Sequence, residues 1–198
     1  MPWLKMVDPS TVSGYVKEVF DGFVQRRGKV PSLSQVLANR PEVLRGRETL
    51  RNAVSDGATT LGLRREEMLN YFGSMMGQCT GLVLNHGELL RKQSNDDQDL
   101  VLEIGRDYAS SRLEEQDKVM LAFAEKLTFN HTEMDKDDIE SLKAVGFSDE
   151  NILDIIASVA YRNFSNRLNI AIGLDEDVTE GDQDLLNIAK SGHSMSMV

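Results

Sequence analysis

The sequence is poor in three features on which function often depends: cysteine, positive charge and long apolar runs. It has one cysteine in 198 residues, which excludes an intrachain disulfide framework and a metal site built from several thiolates. Lys and Arg number 22 against 32 Asp and Glu, a formal net charge of −10. This balance argues against nucleic acid as a partner, because neutralising phosphates requires a clustered excess of basic residues.

The remaining absences narrow the class of protein further. No run reaches the roughly 18 apolar residues of a membrane helix, so we expect no membrane partner. The N-terminal "MPWLKMVDPS" lacks the apolar stretch of a signal peptide, and we therefore expect a cytoplasmic protein. The acidic runs do not have the spacing of an EF-hand loop, and there is neither a Gly-rich phosphate loop nor a Ser elbow. The sequence thus predicts no metal site.

The patterned segments have the helical period, with apolar residues three and four apart, and none alternates with period two for long enough to require a sheet. We predict an all-α protein with no internal repeat. We expect residues 1–174 to form a single helical domain. Its core is the segment at about 60–92, which contains the single cysteine and one histidine. Residues 175–198 are polar and acidic, and we expect an arm, a short helix near Leu185-Leu186, or a frayed tail.

The single cysteine, Cys79, lies seven residues before His86 in "GQCTGLVLNH". Taken alone, a cysteine or histidine on an apolar stripe is more often part of the core than of a reactive site. Gly77 could however let a helix begin at Cys79, and the dipole at a helix N-terminus favours a thiolate. On one helix the two residues would lie on nearly the same face, about 10 Å apart along the axis, with Leu82 between them.

These residues carry a resemblance to a known family. "REEMLNYFGSMMGQCTGLVLNHGELLRK" resembles the core of the AhpD-like alkylhydroperoxidase and carboxymuconolactone decarboxylase superfamily, whose peroxidase branch has the pattern E-x(11)-C-x-x-C-x-x-x-H. Glu67, Cys79 and His86 match three of its four positions. The flanks "GKVPSLSQVLANRPEVLRG" and "LAFAEKLTFNHTEMDKDDIESLKAVGFSDENILDIIASVAYRNFSNRLNIAIGL" are similar to its peroxidase-related subgroup, so the likeness covers about residues 10–175.

The resemblance implies a fold and a site. The expected fold has about seven to nine helices around a central helical hairpin, and the expected catalytic residues are Cys79, His86 and Glu67, without a metal or organic cofactor. For Glu67 to join the other two, the chain must break and fold back between Glu67 and Cys79, because twelve residues of straight helix span about 18 Å. Gly73 and Gly77 are the candidate positions for that break. The family also implies a homo-oligomer, a dimer, trimer or hexamer.

One position departs from the family pattern. The second motif cysteine, which attacks peroxide in the family's thiol peroxidases, corresponds to Leu82. A two-cysteine cycle within one subunit is therefore impossible, since the chain has no other thiol.

Three alternatives remain open. Cys79 could reduce hydroperoxides in a one-cysteine cycle, with a Glu67/His86 proton relay and an external thiol reductant. Glu67 and His86 could instead perform proton-transfer chemistry on a small organic acid or lactone, as the decarboxylase branch implies. In the third alternative the fold persists as a non-catalytic binding or assembly protein. A cavity that contains Cys79 and His86 would favour chemistry, whereas a sealed apolar core would favour the third alternative.

Overall fold

The computed structural model describes residues 2–175 and 180–191, and the side chain of Ser191 is not described. Its elements are helices without a strand in those ranges, which confirms the all-α prediction. The ten α-helices are α1 Gly14–Arg27, α2 Ser32–Leu37, α3 Pro41–Ala53, α4 Leu63–Met76, α5 Thr80–Gln93, α6 Gln98–Asp107, α7 Glu115–Phe129, α8 Lys136–Ala144, α9 Asp149–Ala171 and α10 Gln183–Ser191. Two short 3-10 helices lie at Pro9–Thr11 and His131–Glu133.

The helix ends follow from local sequence. Gly28 ends α1 in the left-handed conformation, with φ of 72°, a region that glycine adopts without steric cost. Pro41 opens α3 as its first residue, where its missing N–H costs nothing. The side chain of Ser148 accepts a hydrogen bond from the Asn151 N–H, and the Asn151 side chain accepts one from the Ser148 N–H, so the two form a capping box at the start of α9.

The apolar residues form two clusters. The larger one is built on α4, which packs against α5, α7 and α9 and buries Met68, Tyr71 and Phe72 completely. The smaller cluster joins α1, α2 and α3 to the end of α9, through Phe20, Phe23, Leu44 and Ile172 among others. The predicted hairpin is therefore present as α4 and α5, and the N-terminal helices form a second layer beside it.

The C-terminal segment contributes α10, the tenth helix of the described ranges, where about seven to nine helices were expected. α10 packs against α5 and α6 and buries Leu185, Leu186, Ile188 and Ala189 in the larger cluster. The short helix considered for Leu185-Leu186 is thus present and belongs to the packed core. Other residues of the acidic segment, 176–179 and 192–198, lie outside the described ranges. No helix of the described part is both long and apolar enough to cross a membrane.

Candidate active site

The turn between α4 and α5 brings the residues of the motif together. Of the two candidate glycines, Gly77 is where α4 ends, whereas Gly73 stays helical. Gln78 then takes a left-handed φ of 52°, and the Cys79 N–H donates to the carbonyl oxygen of Ser74 at 3.0 Å. Cys79 is the residue immediately before α5. The chain therefore reverses within three residues and places α5 antiparallel beside α4.

Both glycines permit a close approach of α9. A Cβ on Gly73 would lie 2.7 Å from Cγ of Arg162, and a Cβ on Gly77 would lie 2.0 Å from Nδ2 of Asn166. Asn166 uses that space to donate to the carbonyl oxygen of Gly73 at 2.8 Å. The glycine pair, four residues apart on α4, thus accommodates a pair of large polar side chains four residues apart on α9.

A cavity of about 310 Å³ lies between the N-terminal layer and the α4–α5–α9 core. Its walls combine apolar side chains with charged ones from several helices. They include Phe23, Arg27, Leu33, Arg47, Arg51, Asp56, Glu67, Asn70, Cys79, Leu82, Asn85, His86, Leu89, Tyr161, Arg162 and Asp175. All three residues expected at the site therefore face one space, and Leu82 lies in the same wall.

Glu67 and His86 form a hydrogen-bonded pair. Glu67 Oε2 and His86 Nδ1 are 2.6 Å apart, and both side chains are almost buried. Glu67 thus lies beside His86, across the turn between α4 and α5. Burial lowers the pKa of His86 to about 4, and the charge of Arg162 acts in the same direction, while the bond to Glu67 opposes it. At neutral pH the imidazole is therefore uncharged.

The neutral imidazole has one defined arrangement of its proton. Because a carboxylate can only accept, Nδ1 carries the hydrogen and donates it to Glu67. Nε2 is then the acceptor nitrogen, and no described residue forms a hydrogen bond with it. His86 can thus take up a proton at Nε2 while Glu67 stabilises the imidazolium that results.

Cys79 is 1% exposed, and its thiol donates to Oδ1 of Asp175 at 3.6 Å. The same carboxylate accepts from the N–H groups of Thr80 and Gly81, at 2.7 and 2.6 Å, and so caps the first turn of α5. Burial, together with the negative charge of Asp175, raises the pKa of the Cys79 thiol to about 12. The expectation that the helix N-terminus stabilises a thiolate here is therefore wrong. The N–H of Leu82, in the first turn of α5, does lower this pKa, but burial and the charge of Asp175 outweigh it.

Arg162 lies deep in the same wall and is 4% exposed. Its Nε and Nη2 donate to Oδ1 of Asn70 at 3.2 and 2.7 Å. Sequence patterns did not single out Arg162, Asn70 or Asp175. A signal was available for Arg162, since an arginine on the apolar stripe of a helix is rarely buried without a role. Asp175 had no such signal, because its contact with α5 spans 95 residues of chain.

Metal ligands are not clustered here. Among the described residues no group of three or more His, Cys, Asp or Glu side chains could hold a metal ion.

Comparison with solved structures places the fold. A peroxidase-related protein from Silicibacter sp. TM1040 superposes with a TM-score of 0.76 at 25% identity, over 92% of both chains. A peroxidase-related protein with an alkylhydroperoxidase AhpD core, from Ralstonia eutropha JMP134, gives 0.77 at 23% identity, over 96% of this chain and 97% of the other. The chain has the AhpD-like helical fold. The resemblance to AhpD-like peroxidase-related proteins is thereby confirmed.

A third solved structure with a similar fold is that of a debrominase. A cysteine-to-alanine variant of the debrominase Bmp8, in complex with 2,3,4-tribromopyrrole, superposes with a TM-score of 0.72 at 16% identity, over 95% of this chain and 96% of that one. This likeness concerns the fold alone. No family model matches the sequence, and no curated protein does so either.

Proposed function

We propose that the protein reduces hydroperoxides with electrons from an external thiol, in a cycle that uses Cys79 as the only protein thiol. The observation that carries this proposal is that Cys79, His86 and Glu67 line one cavity rather than a sealed apolar core. A sulfur and a neutral base with its own carboxylate partner are the groups that such a reaction requires. The peroxidase-related names of the neighbours at TM-scores of 0.76 and 0.77 support the same chemistry.

The proposed reaction begins with attack of the Cys79 sulfur on the terminal oxygen of the hydroperoxide. The O–O bond breaks, the sulfur is oxidised to sulfenic acid, and the alcohol leaves with the proton that the thiol has lost. His86 can carry that proton, accepting it at Nε2 and donating it to the departing oxygen, while Glu67 holds the ring through Nδ1. An external thiol then condenses with the sulfenic acid and releases water, and a second thiol restores Cys79 and leaves as a disulfide.

The environment of Cys79 imposes a pH dependence on this cycle. A thiol pKa raised to about 12 means that the thiolate fraction increases with pH throughout the range from 7 to 9. We therefore expect the rate of peroxide reduction to rise with pH and to show no plateau near neutrality.

A second function is favoured by the same two pKa shifts. His86 is neutral and paired with Glu67, whereas Cys79 is held as a thiol, which suits proton abstraction from a small organic acid or lactone without sulfur chemistry. In that reaction His86 is the base, Glu67 stabilises its protonated form, and Cys79 is only part of the wall.

Steady-state consumption of a small alkyl hydroperoxide with excess dithiothreitol tests the first function. Cys79→Ser and His86→Ala are both expected to abolish the activity above background. Leu82→Cys supplies a second thiol in the same wall, and we expect it to increase turnover if the scaffold supports the family's two-cysteine cycle. A natural protein no faster than Cys79→Ser would contradict the proposal. Turnover of a lactone or organic acid that survives Cys79→Ser but not His86→Ala would establish the second function.

A further inference from the structure

Arg162 carries a buried charge, and no carboxylate in residues 2–175 or 180–191 lies within ion-pair distance of it. Its guanidinium donates to the neutral amide oxygen of Asn70 and lies 5.8 Å from the centre of the Tyr161 ring, and the charge of Glu67 stabilises it from beyond contact distance. A buried charge is costly unless a counter-charge compensates it. The position is nevertheless built for this side chain, because Gly73 leaves the space that its Cγ occupies.

Two other arginines of the cavity are paired with carboxylates. Arg51 pairs with Asp56 at 2.7 Å, and Arg47 pairs with Glu48. Arg47 still has a buried Nε without a hydrogen-bond partner among the described residues. With Glu48 included, the four arginines of the walls, Arg27, Arg47, Arg51 and Arg162, are matched in number by four carboxylates, Glu48, Asp56, Glu67 and Asp175. Unlike Arg47 and Arg51, Arg162 has no carboxylate of the described residues within ion-pair distance, so its guanidinium is the group of the walls best placed to receive an anionic ligand.

We propose that the substrate of this site carries a carboxylate, which Arg162 binds. This deepens the proposed function, on which it rests for the reaction, although the binding itself can be tested without turnover. Arg162 would supply the counter-charge interaction and fix the orientation of the molecule, with its reacting group directed toward Cys79 and His86 in the same cavity.

The size of the cavity limits the substrate to a small one. About 310 Å³ is at the lower end of the range for ligand sites, which suits a short-chain or single-ring acid rather than a long acyl chain. The apolar residues of the walls, among them Phe23, Leu82 and Leu89, would contact the uncharged part of such a molecule. Burial lowers the pKa of Arg162 to about 10, so the side chain is still cationic at neutral pH.

Equilibrium binding tests the proposal directly. Isothermal titration calorimetry at pH 7 should show that benzoate and propionate bind the reduced natural protein at least about tenfold more tightly than benzamide and propionamide, which have the same shape without the charge. Arg162→Gln is expected to remove this preference. Arg167→Gln, on the exposed side of the same helix, is the matched control and should leave it unchanged.

A second variant keeps the test informative if Arg162→Gln does not fold. Asn70→Asp places a carboxylate where the amide oxygen now accepts from Arg162, so the guanidinium gains an internal partner. We expect this variant to fold and to lose benzoate binding. Equal affinity for the acids and their amides in the natural protein would overturn the proposal, as would undiminished benzoate binding by Asn70→Asp. Carboxylate binding without peroxide turnover would leave this proposal standing and refute the thiol peroxidase function.

Discussion

Two neighbouring glutamates of α4 are both buried, yet the structure uses them in opposite ways. Glu66 accepts from the N–H groups of Gly57 and Thr59, at 2.6 and 3.0 Å, and so fixes the loop before α4. Glu67 faces the cavity and contacts His86. The first carboxylate is enclosed by backbone donors, whereas the second is connected to a base that has an unused nitrogen.

The arginines show the same division. Arg64 and Arg65, at the start of α4, both contact the buried carboxylate of Asp117 at 2.7 Å. Arg162 in the cavity has no carboxylate of the described residues at contact distance and donates to the amide oxygen of Asn70 instead. Buried groups whose hydrogen bonds and charge are satisfied within the protein stabilise the fold. Buried groups that still lack a hydrogen-bond partner or a close counter-charge indicate the candidate site. This difference distinguishes the start of α4 from the cavity. Burial does not, because both regions contain buried charged residues.

Of the two glutamates, Glu67 is expected to give the larger effect on the rate. Glu67→Gln retains an oxygen that can accept from His86 but removes the negative charge that stabilises the imidazolium. We expect the turnover of whichever reaction the site performs to fall by about a hundredfold, with a small change in stability. Steady-state rates normalised to folded protein measure this loss. A rate within a factor of two or so of the natural one would show that Glu67 is structural after all.

Glu66→Gln should give the reverse result. An amide has one acceptor oxygen instead of two, so either the part-buried N–H of Gly57 or the buried N–H of Thr59 loses its partner. We expect a loss of about 2 kcal/mol in the free energy of unfolding, measured by denaturant titration. Activity per folded molecule should be unchanged. If Glu66→Gln and Glu67→Gln alter rate and stability alike, the distinction between the two carboxylates fails.

A smaller effect is expected at Asp175. Its negative charge is the second cause, after burial, of the raised pKa of the Cys79 thiol. Asp175→Asn removes the negative charge, and the Thr80 and Gly81 N–H groups can then favour the thiolate. We expect the pKa of Cys79 to fall and its alkylation by iodoacetamide at pH 8 to accelerate about tenfold, for one unit of pKa. Burial remains, so the pKa should stay above that of a solvent-exposed thiol. Asp184→Asn, at an exposed position of α10, is the control. Alkylation no faster than in that control would mean that Asp175 does not hold the proton on sulfur.

Much of the helical fold could be predicted from sequence because it depends on local patterns. The period of the apolar residues, Gly28, Pro41 and Ser148 each act within one turn of the chain. Glu67, Cys79 and His86 could also be selected as candidate site residues from the sequence, through their spacing and the family resemblance. Arg162 and Asp175 were not singled out, because their importance comes from contacts with α4 and α5 that span more than 90 residues. The same holds for the pKa of Cys79, where a distant carboxylate and burial override the local effect of the helix terminus.

The central claim is that the Cys79 sulfur reacts with hydroperoxide in this cavity. The most direct test is mass spectrometry of the peptide containing Cys79 after a brief peroxide challenge in the presence of dimedone. We predict a dimedone adduct on Cys79 that forms in proportion to peroxide, increases with pH, and is strongly reduced in His86→Ala. A Cys79 peptide that stays unmodified under excess peroxide, in a folded protein, would contradict the account and leave the proton-transfer function of Glu67 and His86 in its place.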